Sequence, residues 1–236
     1  MTEWGLYTLA EFIIALFELA TLLVPFLVTY FILRFCAQRS GHTVTGLLPG
    51  LVFAAYLFAV LYVTGIGTVY ELGRALDGSD PIFNHNEINF IPFSSGVSLG
   101  TALNMVLFVP LGFLLPAIWR RGARLAPVAG FGFLLSLSIE LLQLLNFRTT
   151  DVDDLLMNTL GAIVGFGVFK LWERITSNKE QVARHAAYPG NLYRGRHALL
   201  PGLAEPAVYV AAMLVGHFFL FDGYGIAMMA YGMLLG

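Results

Sequence analysis

Six stretches of this chain, at roughly 8–33, 47–70, 99–119, 125–146, 154–172 and 206–221, are long apolar runs broken by almost no charge. A bilayer core of ~30 Å takes ~20 apolar residues as an α-helix, and each run comes close to that length. Turn or charge signals bound them: Gln38 to Gly41, Asp77 to Pro81, Arg120 to Gly122, Arg148 to Asp151, and the polar stretch 173–205. Strands are excluded as spanning elements, because the runs do not alternate and only closed barrels place strands in lipid. Composition agrees. Apolar residues make up 58% and charged residues 12% of the chain, against ~45–50% and ~25% in a soluble domain. A chain with 20 Phe is not disordered, and a net charge of −2 excludes non-specific nucleic-acid binding.

The expected fold is therefore all-α, a polytopic membrane helix bundle of five transmembrane helices plus a sixth C-terminal segment. Asp222-Gly223 interrupts that segment, leaving one broken helix or a re-entrant pair. The chain divides into an N-terminal helix and inner loop (1–44), a central membrane domain (45–172), a basic loop (173–205) and a hydrophobic tail (206–236). No basic residue precedes the first apolar run, so it reads as a retained helix rather than a signal peptide. The single cysteine, Cys36, excludes an intramolecular disulfide. Between Arg34 and Arg39 it reads as a free thiol, with acylation the alternative.

Lys and Arg in short loops set orientation. With the N-terminus outside, the inner side holds Arg34, Arg39, Arg120, Arg121, Arg124, Lys170, Arg174, Lys179, Arg184, Arg194 and Arg196. The outer side keeps Arg74 and Arg148, with Glu71, Asp77, Asp80, Glu87, Asp151, Asp153 and Asp154. The N-terminus is expected outside.

Polar groups inside spans are costly and mark function by default. Glu11 and Glu18 sit seven apart on one face of the first helix, Glu18 some ten residues into the run. Ser136, Glu140 and Gln143 share a face of the fourth; Asp154, Asn158, Gly161 and Gly165 share one of the fifth. Under this topology Asn104, Glu140 and Asn158 all lie roughly 6–9 Å below the outer surface. Above them runs the loop 146–154 with Arg148, Asp151, Asp153 and Asp154. Two readings stay open. One is capping and packing: carboxylates at a helix start, Asn and Ser as interhelical glue, and a close-approach Gly161-x-x-x-Gly165 face. The other is a ligand site of Asn104, Glu140, Gln143, Arg148, Asp151, Asp154 and Asn158, with Arg148 meeting an anion or clamping the carboxylates. No metal-ligand pair, nucleophile elbow or phosphate-binding glycine loop is present, so neither metal nor cofactor is expected. His217 and Asp222 read as a satisfied interfacial pair.

The ordered set Asn89-Phe90-Ile91-Pro92-Phe93, Asn104-x-x-x-Phe108-x-Pro110-Leu111-Gly112, Ser136-x-x-x-Glu140-x-x-Gln143 and Arg148-x-x-Asp151-x-x-Asp154-x-x-x-Asn158-x-x-Gly161 resembles the VanZ-like family over roughly residues 45–172. The resemblance implies a small multi-helix protein of the bacterial cytoplasmic membrane, in a family linked to resistance to the glycopeptide teicoplanin. It also shifts weight toward a site, because the family's motif residues are largely those gathered by depth.

Four functions remain. The first is a non-enzymatic envelope protein binding an amphiphile, either a lipid-linked wall precursor or a lipoglycopeptide, in an outward-facing polar pocket. The second is a membrane hydrolase or transferase on a lipid-linked substrate, with Glu140 as general base. The third is a flippase using Glu18, Glu140 and Asp222 as proton carriers, and the fourth gives these residues packing roles alone.

Overall fold

The computed structural model describes residues 3–77, 88–89, 99–120, 124–146, 150–176, 198 and 200–235. Its helices are α1 (Glu3–Ser40), α2 (Leu47–Thr64), α3 (Val69–Asp77), α4 (Leu99–Ile118), α5 (Leu125–Gln143), α6 (Val152–Thr176), α7 (Ala204–Leu220) and α8 (Gly223–Leu235). Five of them are long and apolar enough to cross a membrane, six if α7 and α8 make one span. The chain is an all-α multi-pass membrane bundle. Its only described ladder is a two-residue parallel pairing of β1 (Ile88–Asn89) with β2 (Thr150–Asp151), which spans nothing.

Local chemistry sets the helix ends. Gly41, at φ 71°, ends α1, and His42 N–H bonds the Ala37 carbonyl at 2.9 Å. The left-handed turn thus satisfies an orphan carbonyl at no steric cost. Gly65, at φ 61°, does the same for α2 by donating to Leu61.

The expected span 47–70 falls within one membrane-length apolar segment, Leu47–Gly73, but it is not one unbroken helix. The helix stops at Thr64, and a short amphipathic helix, α3, restarts at Val69. Thr68 and Glu71 make the restart: the Thr68 backbone N–H donates to Glu71 Oε2, the returning bond of a capping box, and the Thr68 hydroxyl donates to the same oxygen.

The core runs through all the spans, from Leu22 and Phe26 of α1 through Phe53, Leu57 and Leu61 of α2 to Phe108, Leu111 and Leu115 of α4. The most extensive contact is α4 against α6. The helices run parallel with backbones touching. A Cβ on Gly161 would collide with the Met105 carbonyl, one on Gly165 with that of Val109, and one on Gly112 with that of Ala162. In lipid, where apolar burial gives helices no reason to associate, such small-residue seams supply close packing.

The flank of α1, α7 and α8 is built differently. Phe26 meets Tyr209 at 5.0 Å between ring centroids, Phe17 meets Phe221 at 6.1 Å, and Tyr7 meets Tyr231 at 5.9 Å. Moving toward the N-terminus of α1, the partners advance steadily through α7 into α8. The tail is therefore one broken helix laid antiparallel along α1, bent by 55° at Phe221-Asp222, and the re-entrant alternative falls. The same pairing sets Glu18 level with Leu220, at the end of α7.

The described basic side chains (Arg34, Arg39, Arg120, Arg124, Lys170 and Arg174) all gather at one end, where α1, α4 and α6 finish and α2, α5 and α7 begin. Glu71, Asp153 and Asp154 lie at the other.

Candidate functional site

Two contacts fix how α5 and α6 face each other. Asn158 Nδ2 donates to Ser136 Oγ at 2.9 Å, and a Cβ on Gly132 would lie 2.7 Å from Ala162 Cβ. The helices are antiparallel, so equal steps from these pairs set Glu140 opposite Asp154 and Gln143 opposite Asp151. Ser136 is wholly buried, Asn158 is 3% exposed and Glu140 4%. A serine, an amide and a carboxylate are thus sealed between helices near the acidic end.

Asn104 joins from α4. It lies on the stripe of Thr101, Phe108, Leu111 and Leu115, all buried. The parallel seam that seats Gly161 between Met105 and Phe108 brings Asn104 to the turn of α6 between Asp154 and Asn158. Asn104 and Asp154 are half-buried. Glu140 is one turn from the Ser136–Asn158 bond, ~6 Å along the axis. Five of the expected residues (Asn104, Glu140, Gln143, Asp154 and Asn158) therefore fall within about two turns of one another. The backbone of Asp151 belongs to β2. Arg148 lies outside the described residues.

The individual roles differ. Gln143 Nε2 donates to the Thr64 carbonyl at 2.8 Å, and Gly67 N–H donates to the Leu142 carbonyl at 3.1 Å. Gln143 thus ties the end of α5 to the broken end of α2, satisfying a helix-terminal carbonyl. Asn158 spends its amide nitrogen on Ser136 but leaves Oδ1 buried without a partner. Such an acceptor is costly to leave unmet and suits a donor from a ligand or water. Asp153, expected in an outer loop, is 3% exposed in the first turn of α6.

The junction of α2, α3 and α7 was not legible as part of this region. Ile66 and Thr68 are buried, and His217, 1% exposed, sits here with its Nδ1 unpartnered and its ring stacked on Phe221 at 4.8 Å. The signal was the string Gly65-x-Gly67-Thr68-x-x-Glu71, a stop followed by a capping box, which a hydropathy window averages away. The expected His217–Asp222 pair is corrected: Asp222 Oδ1 accepts from Gly225 N–H at 2.9 Å and caps α8. Glu11 and Glu18 share a face of α1 yet differ, Glu11 accepting from Tyr231 Oη and Glu18 lying 8% exposed. Among the described residues no three His, Cys, Asp or Glu side chains cluster as metal ligands.

The helices that carry this polar layer coincide with a known family. Residues 53–173 match the VanZ/LLP1 family, just over half of the chain. This chain belongs to that family. Protein VanZ of Enterococcus faecium is 27% identical over 103 residues, which is 42% of this chain and 63% of that relative. The chain thus covers under two thirds of the relative's length. No solved structure matches. The matched segment runs from α2 to α6, so it includes the α4–α6 seam and all seven expected residues but leaves out α1, α7 and α8.

Proposed function

We propose that this VanZ-type protein resides in the bacterial cytoplasmic membrane with its N-terminus outside. It binds a lipid-linked wall precursor or a lipoglycopeptide in an outward-facing polar layer, and so supports resistance to glycopeptides of the teicoplanin kind. The carrying observation is the buried bond of Asn158 to Ser136 with buried Glu140 one turn away, on a three-helix unit with α4 and α6 in backbone contact. Polar groups sealed at this depth are expensive, and a rigid scaffold is what a binding constellation needs. Glycopeptides act on wall precursors outside the membrane, so a site at the acidic, outer end lies on the correct side. Below the layer, the buried side chains between α4, α5 and α6 (Leu111, Leu115, Val128, Ala162 and Phe169) are all apolar. A continuous polar path, which a flippase would need, has no support among them.

The facing carboxylates favour one second reading, a hydrolase or transferase in which Glu140 serves as general base. The test uses Glu140→Gln, Asp154→Asn and Arg148→Lys beside a lipid-facing control. Val106→Ala, at a site 59% exposed, is that control. Growth in teicoplanin and retention of an isoprenoid-linked precursor should both fall in the three variants and hold in the control. If all four behave alike while remaining folded, the layer is packing only. Turnover of a lipid-linked substrate that is lost in Glu140→Gln with binding intact establishes the enzyme instead.

A further inference from the structure

The basic end of the bundle holds a second, separate place where a buried polar group is unmet. A cavity of about 510 Å³ opens there between the α1–α2 connection, the end of α4 and the start of α7, within the ~300–1,000 Å³ usual for ligand sites. The bridge of Thr43 with Ala198 closes one side. Trp119 lines it, 6% exposed and held edge-on to Phe53 at 5.0 Å, and its Nε1–H is buried with no hydrogen-bond partner. An indole N–H can only donate, and a buried one normally finds an acceptor. Arg120, the next residue, also lines the cavity and is exposed. No acidic side chain among the described residues pairs with it.

Glu205 supplies the opposite sign. It is 3% exposed, and its Oε1 takes both the Thr45 backbone N–H at 2.9 Å and the Tyr209 hydroxyl at 3.2 Å. No described donor occupies Oε2. One cavity thus offers an indole N–H and a guanidinium for an anion, and a carboxylate oxygen for a cation. It lies where α4 ends and α7 starts, at the basic end of the bundle.

We infer that this cavity holds the head group of a zwitterionic phospholipid carrying a primary ammonium, from the leaflet at the basic end. The phosphate accepts from Trp119 Nε1–H and the Arg120 guanidinium, and the ammonium donates to Glu205 Oε2. A guanidinium suits phosphate through its fork of donors. A quaternary ammonium has no N–H to give Glu205, so the site discriminates between head groups. This inference does not rest on the outward polar layer, which lies at the opposite end.

The test is native mass spectrometry of the delipidated full chain in detergent, with added phosphatidylethanolamine, phosphatidylcholine, phosphatidylglycerol or free phosphoethanolamine. Trp119→Phe keeps the ring against Phe53 and removes only the N–H. Loss of one such bond lowers retention of phosphatidylethanolamine about fivefold. Arg120→Gln lowers retention of all three lipids. Glu205→Gln keeps an acceptor for Thr45 and Tyr209, and it abolishes the preference for ethanolamine over choline head groups. Equal retention of the three lipids by the unmodified chain, or unchanged retention in Trp119→Phe and Arg120→Gln with thermal stability preserved, overturns the site. Saturation by free phosphoethanolamine with no advantage for the lipid overturns the lipid assignment.

Discussion

The α4–α5–α6 unit and the α1–α7–α8 flank share one bundle but hold together by different means. In the first, glycines bring backbone to backbone, so the helix axes have one permitted spacing. In the second, the main contacts are between side chains: rings of Phe17, Phe26, Tyr7 and their partners meet at a tilt. The contrast is not absolute. Pro25 removes the N–H that would bond the Thr21 carbonyl, and Gly216 of α7 packs at that point. Family membership falls on the first unit, as does the buried polar layer. A site whose geometry must hold belongs on the part that cannot slide.

Breaking the seam should do the most damage. Gly161→Val puts branched carbon into the Met105 carbonyl and the Phe108 side chain, for a loss of about 3 kcal/mol or more by the overpacking scale. Thermal unfolding in detergent should show either a collapse of the transition or no folded monomer. A variant as stable as the parent would mean that the helices are not in backbone contact.

Removing the polar bridge comes next. Asn158→Leu loses the donor to Ser136 and should cost about 1 kcal/mol, while growth in glycopeptide falls far more than stability. The split between the two readouts separates site from packing. Loss of stability alone, with resistance intact, would assign Asn158 to glue.

The flank should yield least. Phe221→Leu keeps apolar bulk and loses the ring contacts with Phe17 and His217, for roughly 0.5–1 kcal/mol and no effect on resistance. A large loss of resistance there would show that the site extends beyond the matched family segment. Orientation can be checked on the same protein: a cysteine replacing Asp77 should react with an impermeant reagent outside intact cells, and one replacing Asn178 should not.

The sequence carried the spans well because hydropathy over twenty residues is a collective signal. Because α5 and α6 are regular, period and depth were enough to bring Glu140 and Asn158 to neighbouring turns, where Asn158 meets Ser136. The sequence failed where the deciding signal was one or two residues long. The stop at Gly65 was hidden inside an apolar window. Asp222 read as a partner for His217 although its spacing to Gly225 suits a cap. The basic-end cavity left no sequence signal, because Trp119, Glu205 and Thr45 meet only through the fold.

The bend at Phe221-Asp222 and the length of α1 have a consequence for the surrounding bilayer. At ~1.5 Å per residue, the 38 residues of α1 reach about 57 Å, whereas the 18 of α2 and 19 of α5 reach about 27–29 Å. One side of the molecule is nearly twice as tall as the other, and its upper part still exposes Tyr7, Phe12, Tyr224 and Met228. A sheet of lipid of uniform thickness cannot match both sides. It must thicken along the flank, or the protein must lean, at a cost of a fraction of a kcal/mol per Å of mismatch. Mismatch of this kind is what sorts proteins among membranes of different thickness.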